Sequence, residues 1–180
     1  MTKKSTYKHV MIDIETMGSK PYSAIVSIAA VRFDLDTGKT SEEFYVIVDL
    51  EDCVKCGLVM DPSTVLWWMK QSEEAKKELY KKGILLKEAL TQLSKFIGKE
   101  DQIWGNSPRF DQALLENAYQ KCDMTIPWKF WNERDVRTLV SFSPAVKLNH
   151  PVPADAHNAL ADCHYQISYC TKIWQLLNKN

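Results

Sequence analysis

The sequence carries no excess charge of either sign, because 23 lysines and arginines balance 23 aspartates and glutamates over 180 residues. Without a bulk positive field, overall charge does not draw the chain to nucleic acid, and any polynucleotide binding must occur in a local groove. Long hydrophobic runs are also missing. The longest apolar stretch, residues 24–31 with one serine inside, is far too short to span a bilayer, so we expect no membrane partner.

Cysteine is sparse, and its spacing does not match a zinc site. Cys53 and Cys56 form a C-x-x-C pair, but no second Cys or His pair follows at a suitable distance. The first residues show no export signal, so we expect the five cysteines to be reduced thiols in a cytoplasm.

The chain contains no internal repeat, low-complexity tract or linker, and its length suits one domain, residues 1–180, with a core from about residue 8 to residue 177. Three early apolar segments, residues 8–14, 25–34 and 43–48, predict an antiparallel meander. Later patterns predict helices over 63–70, from 72, over 86–97 and over 160–177, and strands at 102–104 and 129–131. The order predicts an α/β fold with a mixed sheet flanked by helices, in which functional sites lie at strand ends.

The first acidic motif, Asp13-Ile14-Glu15-Thr16, ends the first predicted strand. Side chains alternate faces along a strand, so Asp13 and Glu15 project from the same face about 7 Å apart. Two like charges on an apolar strand are costly to desolvate unless a cation lies between them. A solvated edge strand with a polar face explains the pair equally well when it is considered alone.

The second motif, residues 106–111, is predicted to open a helix, with Ser107 as N-cap and Pro108 at the first helical position. Asp111 begins a stripe of apolar residues at helical spacing, so it is predicted to face the core and to need a counter-charge. The alternative places Asp111 at the exposed end of that stripe, in the first helical turn.

The third motif is His157, followed five residues later by Asp162 at the start of the longest periodic segment. Five residues correspond to about 140° around a helix, so the two side chains converge only if His157 lies in the first turn or the preceding loop. Pro151 and Pro153 favour that position. A lone histidine near a helix start is often incidental, and only the set of motifs indicates a site.

With these motifs in place, the chain resembles the DEDDh branch of the DnaQ-like 3′-to-5′ exonucleases, which have an RNase H-like fold. The resemblance extends from about Lys8 to Leu177 and is strongest to the phage-type exonuclease A group. Three strings carry it: D-x-E-T-M-G-S at residues 13–19, S-T-x-x-W-W at 63–68 and F-W-N-x-R-D-x-R-T at 130–138. If the chain is phage-encoded, the expected compartment is the host cytoplasm.

The resemblance implies a two-metal site for phosphodiester hydrolysis. Asp13, Glu15 and Asp162 would hold one ion, Asp13 would bridge to a second, and Asp111 would reach the second ion through water. His157 would take the proton from the nucleophilic water. Four acids without thiolate ligands fit two Mg²⁺ or Mn²⁺ ions better than zinc.

Substrate contacts are predicted around this site. Trp67 and Trp68 are about 100° apart on a helix, so one is expected in the core and the other on a surface where a base could stack. Met17 is predicted to wedge against the terminal base and Asn106 to hydrogen-bond near the site. Asp135 and Arg137 resemble a family segment, a buried structural ion pair explains them nearly as well, and neither is assigned a catalytic role. The full set of expected substrate-binding residues is Thr16, Met17, Gly18, Trp67, Trp68 and Asn106.

Three functions compete at this point. The leading prediction is a 3′-to-5′ exonuclease that acts on single-stranded 3′ ends, prefers DNA and releases nucleoside monophosphates. An exoribonuclease would use the same residues and differ only in how its pocket treats a 2′-OH. Loss of any of the five residues would have favoured an inert nucleic-acid-binding scaffold, and all five are present. An RNase H-like endonuclease would not need His157. The oligomeric state is left open.

Overall fold

The computed structural model describes residues 7–107, 109–152 and 157–179. Its centre is a five-stranded sheet in the order β3-β2-β1-β4-β5. Strands β1, β2 and β3 are antiparallel, whereas β4 and β5 run parallel to β1. The mixed sheet predicted from the sequence is therefore confirmed. The strands are β1 (His9–Thr16), β2 (Ile25–Phe33), β3 (Thr40–Ile47), β4 (Gln102–Gly105) and β5 (Glu133–Asp135).

The predicted helices are present, and Asp61 and Ser72 cap two of them through side-chain oxygens. Three short helices were not predicted, because six residues or fewer cover less than two helical turns and carry little periodicity. The three are α1, α6 and α7. The helices are α1 (Leu50–Lys55), α2 (Pro62–Met69), α3 (Glu73–Tyr80), α4 (Leu86–Phe96), α5 (Asp111–Lys121), α6 (Val136–Ser141), α7 (Pro144–Leu148) and α8 (Ala159–Leu177).

The strand predicted at residues 129–131 is wrong. Residues Phe130–Asn132 form a 3₁₀ turn, closed by the Asn132 amide donating to the Lys129 carbonyl at 2.8 Å, and β5 begins one residue later. The rings of Phe130 and Trp131 are both largely exposed. Pairing with β4 starts at Glu133, opposite Ile103.

The start of α5 also differs from the prediction. The helix begins at Asp111, and Ser107 has a φ of 131°, so Ser107 is not its N-cap. The Phe110 amide donates to the Ser107 carbonyl at 2.9 Å, which makes a turn before the helix. Pro108 lies outside the described residues.

Two apolar cores lie on opposite faces of the sheet. One contains Ile12 and Ile14 and packs against side chains of α1 to α5. The other contains Met11 and Ala29 and packs against α6 and α8. Among the described residues, no helix is long and apolar enough to cross a membrane.

Candidate active site

Asp13 and Glu15 lie on the face of β1 that α8 covers. They continue the row begun by Met11, while Ile12 and Ile14 enter the opposite core. On the neighbouring strand, Asp13 is paired with Ala29 and Glu15 with Ser27. Strand alternation therefore places two carboxylates at the carboxyl end of a central strand, beside small side chains.

The start of α8 brings the third motif to this place. Asn158 caps the helix by accepting from the Ala161 amide at 3.1 Å, and His157 precedes it with a φ of 70°. The His157 amide donates to Asp162 Oδ2 at 3.1 Å. This left-handed turn brings the two side chains together, because it places His157 in the loop that precedes α8. Pro153, which had favoured the turn, lies outside the described residues.

Glu15, His157 and Asp162 form a potential metal-binding group. One donor atom from each lies within 4.8 Å of the other two. The group joins the end of β1 to the start of α8, two segments far apart in the sequence. The sequence prediction that these three residues converge is confirmed at the level of geometry.

Asp111 is 2% exposed, so the prediction that it faces the interior is confirmed over the exposed alternative. Its Oδ2 accepts from the Asn106 amide at 3.0 Å. Gly105 makes this close approach possible, because a Cβ there would lie 2.5 Å from the Gln112 side chain and 3.0 Å from Asp111 Oδ2. The end of β4 thus holds Asp111 beside the carboxylates of β1.

The four carboxylates perturb one another strongly. Burial raises the pKa of Asp13 well above its ordinary value, and the charges of Asp111, Glu15 and Asp162 raise it further. Burial, followed by the charge of Asp162, raises the pKa of Glu15 to about 8. Burial raises the pKa of Asp111 to about 7, although backbone N–H groups oppose the shift. Such a cluster is stabilised by protons or by cations, and its oxygen donors suit hard divalent ions.

Gln166 is a site residue that the sequence analysis missed. Its Nε2 donates to Asp13 Oδ1 at 2.7 Å, and the side chain is 3% exposed. Its Oε1 is buried without a hydrogen-bond partner among the described residues. The available signal was spacing, since Gln166 follows Asp162 by four residues and therefore shares its side of α8.

Glu78 is a further acid that no local pattern indicated. It is 6% exposed, accepts a hydrogen bond from the Tyr45 hydroxyl and lies 2.8 Å from Lys81 Nζ. Its charge contributes to raising the pKa of Glu15. Because α3 reaches the sheet from a distant part of the chain, only the tertiary structure reveals this neighbour.

The two tryptophans divide as predicted into one core residue and one surface residue. Trp68 is 2% exposed, and its indole N–H donates to the Thr16 carbonyl at 2.9 Å. Trp67 is 40% exposed and packs edge to face on the His157 ring, with centroids 4.9 Å apart. Trp67 is therefore the one that is available to a substrate base.

The segment after β1 is tightly packed. Thr16 Oγ1 donates to the Gly18 carbonyl at 2.6 Å, and a Cβ on Gly18 would lie 2.4 Å from Ser23 Oγ. Met17 is 4% exposed and belongs to the core opposite the acids, so its side chain does not take the wedge position expected of it. Asn106 Oδ1 is buried beside the acids without a partner among the described residues.

A buried ion pair, one of the two interpretations of Asp135 and Arg137, is not found among the described residues. Asp135 is the N-cap of α6, where its carboxylate accepts from the Arg137 and Thr138 amides at 3.0 and 3.1 Å. Arg137 is exposed, and its charge nevertheless lowers the pKa of Asp111. Arg137 therefore contributes positive potential to the site without contacting Asp135 through its guanidinium.

This fold, with acids at the end of its central strand and a histidine before its last helix, defines the DnaQ-like 3′-5′ exonucleases. The family model described as "3'-5' exoribonuclease Rv2179c-like domain" matches residues 8–174, and the chain belongs to that family. A curated relative is the exodeoxyribonuclease of Enterobacteria phage T4, 26% identical over 190 residues, which cover 85% of this chain and 83% of the relative.

Solved structures share the fold. Escherichia coli exonuclease I in a zinc-bound complex with single-stranded DNA superposes with a TM-score of 0.75 at 18% identity, covering 97% of this chain and 42% of that one. Exonuclease I of Methylocaldum szegediense gives 0.65 at 16% identity, covering 95% and 41%. The chain thus spans less than half the length of these structural relatives.

Proposed function

We propose that the protein is a divalent-metal-dependent 3′-to-5′ exonuclease that removes nucleoside monophosphates from single-stranded DNA. The observation that carries this proposal is the convergence of Glu15, His157 and Asp162 beside the half-buried Asp13 and the buried Asp111. Repulsion among these acids gives the site a strong preference for cations. A scaffold that had lost its chemistry would not need to maintain such a cluster.

The donor set fits two Mg²⁺ or Mn²⁺ ions. Asp13, Glu15 and Asp162 would hold one ion, and Asp13 and Asp111 the other. When bound, two such ions supply positive charge on both sides of the scissile phosphate and lower the pKa of an attacking water. The protein supplies the rigid positions: Gln166 fixes Asp13 at 2.7 Å, and the Asn106 amide fixes Asp111 at 3.0 Å.

His157 acts as the general base. It lies before the helix with its backbone N–H held by Asp162, so the ring is anchored at the mouth of the site. Trp67 packs against one side of the ring and restricts its orientation. The neutral imidazole takes a proton from the attacking water, and the water oxygen forms the new bond to phosphorus. The bond from phosphorus to the 3′ oxygen of the preceding nucleotide breaks, and that oxygen leaves and takes up a proton from solvent.

DNA is the preferred substrate in this proposal because the T4 relative that covers 85% of the chain is an exodeoxyribonuclease. RNA is the second candidate, favoured by the family description, which names an exoribonuclease. The sugars of the two differ in a single group, the 2′-OH, so the same machinery serves either substrate.

The test is digestion of 5′-labelled DNA and RNA strands of one sequence, single- and double-stranded, with Mg²⁺, Mn²⁺ or a chelator. The proposal expects a ladder that shortens from the 3′ end, faster on single-stranded DNA, and no products in chelator. Asp13→Asn is the matched inactive control. Cleavage inside the strand, or full activity in chelator, would overturn the proposed mechanism, and faster RNA trimming would assign the second candidate.

A further inference from the structure

A second distinctive surface lies at the amino ends of the parallel strands. We call it the amino-edge patch and define it by Lys8, Lys99, Lys129, Phe130, Trp131 and Arg134. Phe130 is 73% exposed and Trp131 is 59% exposed. Two adjacent aromatic side chains left this open to water are a costly feature that ordinarily marks an interaction site.

The aromatic pair is held in a fixed arrangement. The two rings pack edge to face with centroids 4.9 Å apart, and Lys129 Nζ lies 5.5 Å from the Trp131 ring centroid. The 3₁₀ turn fixes the backbone, and Arg134 donates to the Trp131 carbonyl at 2.9 Å. Preorganised rings lose little conformational freedom when a partner stacks on them.

The patch is locally positive although the whole chain is neutral. A hydrogen bond from Lys129 lowers the pKa of the Glu100 carboxyl, and the charges of Lys129, Lys99 and Lys8 lower it further. Glu100 forms its ion pair with Lys129 at 2.5 Å, and among the described residues Lys8 and Lys99 have no ion pair of their own, so both add positive charge. Arg134 adds a further cation.

Negative charge borders the patch on one side. Asp34 and Asp36 line a cleft of about 420 Å³ that Arg134 also lines. Phosphate groups are repelled by these two aspartates and attracted to the lysines. A polyanion that crosses the patch would therefore run over Lys8, Lys99 and Lys129 and keep its backbone away from the cleft.

The patch is separate from the catalytic acids. Lys8 precedes β1 and Glu15 lies near its end, so seven residues of extended chain, roughly 23 Å, separate them. The aromatic pair precedes β5, which runs parallel to β1, so it lies at the same amino edge as Lys8. A nucleotide that reaches the carboxylates therefore cannot also contact this patch.

We propose that the amino-edge patch is a second binding surface for single-stranded nucleic acid, in which bases stack on Phe130 and Trp131 and phosphates contact the lysines. Stacking on aromatic side chains beside cations is the mode by which proteins hold single strands without reading their sequence. The inference rests on the proposed function for the class of ligand. The surface retains a strand whose 3′ end lies at the active site.

The test compares a short DNA strand of about 3 nucleotides with a long one of about 20, since at about 3.4 Å per stacked nucleotide only the long strand spans the distance between the two surfaces. Binding is measured by fluorescence anisotropy with Asp13→Asn protein carrying Phe130→Ala and Trp131→Ala. We expect the long strand to bind this protein about 10- to 100-fold more weakly than it binds Asp13→Asn protein with the native aromatic pair. The short strand should bind both proteins equally. The matched control replaces Phe142 and Leu148, which are also exposed, with alanine.

The ionic part is tested with Lys99→Ala and Lys129→Ala, which should lower the salt dependence of long-strand binding. Cleavage of the short strand by protein with native Asp13 should not change in any patch variant, and this separates the patch from the active site. Failure of the parent enzyme to cleave the short strand would count against the proposed function alone.

Equal loss of short- and long-strand binding, or no loss of either, would overturn the proposal. Sedimentation analysis tests the alternative in which a second copy of the chain covers the patch. If Phe130→Ala and Trp131→Ala convert a dimer into a monomer while DNA binding is retained, the patch is a contact between copies of the chain, and the nucleic-acid assignment is wrong.

Discussion

The two faces of β1 show how one strand can serve stability and chemistry at once. Ile12 and Ile14 enter one core and are 0% and 3% exposed, whereas Asp13 and Glu15, their immediate neighbours, lie among carboxylates on the other face. Burial removes the isoleucines from water almost completely and the two acids in part. It stabilises the isoleucines by about 1.5–3 kcal/mol each and disfavours the charged carboxylates.

The contrast shows that the fold brings together carboxylates that repel one another. Side chains on the apolar face and along α8 hold the backbone in place, so the acids remain together although they repel. Substitutions on the two faces should therefore have opposite signatures. On the acidic face activity falls while the fold persists, and on the apolar face the fold weakens while the chemistry persists.

The largest effect is expected for Asp13→Asn. The amide keeps the volume and can still accept from Gln166, but it removes the carboxylate that both proposed ions share. Single-turnover cleavage should fall by about 10³-fold or more, as for loss of a principal electrostatic group. Thermal stability without metal should be equal or higher, because a buried like charge is gone.

Mn²⁺ supplies the control for this variant. Ions that bind only the folded state raise the melting temperature, so native protein should show a rise that Asp13→Asn loses in large part. An Asp13→Asn enzyme that cleaves at a near-native rate, or native protein with no shift at saturating Mn²⁺, would place the reaction elsewhere.

The next largest effect is expected for His157→Ala. Loss of a general base should lower the rate by about 10²- to 10⁴-fold and flatten the rise of the rate with pH, since only the neutral imidazole accepts a proton. The melting-temperature shift with Mn²⁺ should be largely retained. His157→Asn should not restore the rate, because an amide does not take a proton from water.

Single-turnover rates across pH 5.5 to 9 check this. A His157→Ala enzyme within about threefold of native at neutral pH, far short of a general-base effect, would make His157 a bystander.

Ile12→Ala tests the opposite face at a position adjacent to Asp13. Ile12 is fully buried, and removing its branched side chain should lower the free energy of unfolding by about 2–5 kcal/mol. The rate per folded molecule should stay near native at low temperature, because the acids keep their positions. Urea unfolding and active-site titration separate the two quantities. A variant that loses catalysis without losing stability would show that the faces are not independent.

Gln166→Met isolates the hydrogen bond that orients Asp13, since methionine keeps a similar length without a donor. Loss of a group that supports a metal ligand typically costs about 10- to 100-fold in metal affinity or activity. We expect the Mn²⁺ concentration for half-maximal rate to rise, a change that simple loosening of the core would not produce. Asparagine at this position is too short to reach Asp13 and should not rescue. An unchanged Mn²⁺ requirement would leave Gln166 a packing residue.

Much of the site could be predicted because its residues stand in short local patterns. The alternation of β1 fixes the common face of Asp13 and Glu15, and helical spacing turns Asp111 inward. Gln166 and Glu78 were missed because their proximity to the acids depends on how α8 and α3 dock on the sheet.

The errors at residues 107–111 and 129–131 have a related cause. Ser-Pro and an aromatic pair resemble a helix start and a strand, respectively, but the chain uses a turn before Asp111 and a 3₁₀ turn before Glu133. In both cases the hydrogen bonds that decide the local conformation are set by where β4 and β5 must end and begin. Met17 was misjudged because the residue after a strand can turn back into the core, as it does here.

The smallest effect expected is a pH dependence of stability in metal-free protein, carried by Glu15. Its pKa is raised from 4.5 to about 8 in the folded state, so the folded state binds the proton more tightly than the unfolded state. This contribution to stability is complete below about pH 4.5 and is lost as the pH rises through about 8. Asp13 and Asp111, whose pKa values are also raised, act in the same direction.

Glu15→Gln is the matched control, because it removes one titrating group and keeps the shape. In chelator, the melting temperature of native protein relative to Glu15→Gln should fall between pH 5 and pH 8.5. Saturating Mn²⁺ should abolish that fall, since a bound cation replaces the proton as the counter-charge. If the difference in melting temperature between the two proteins stays constant across this range, Glu15 does not interact with the other acids as a charge cluster. The two faces of β1 would then differ in residue type but not in their electrostatics.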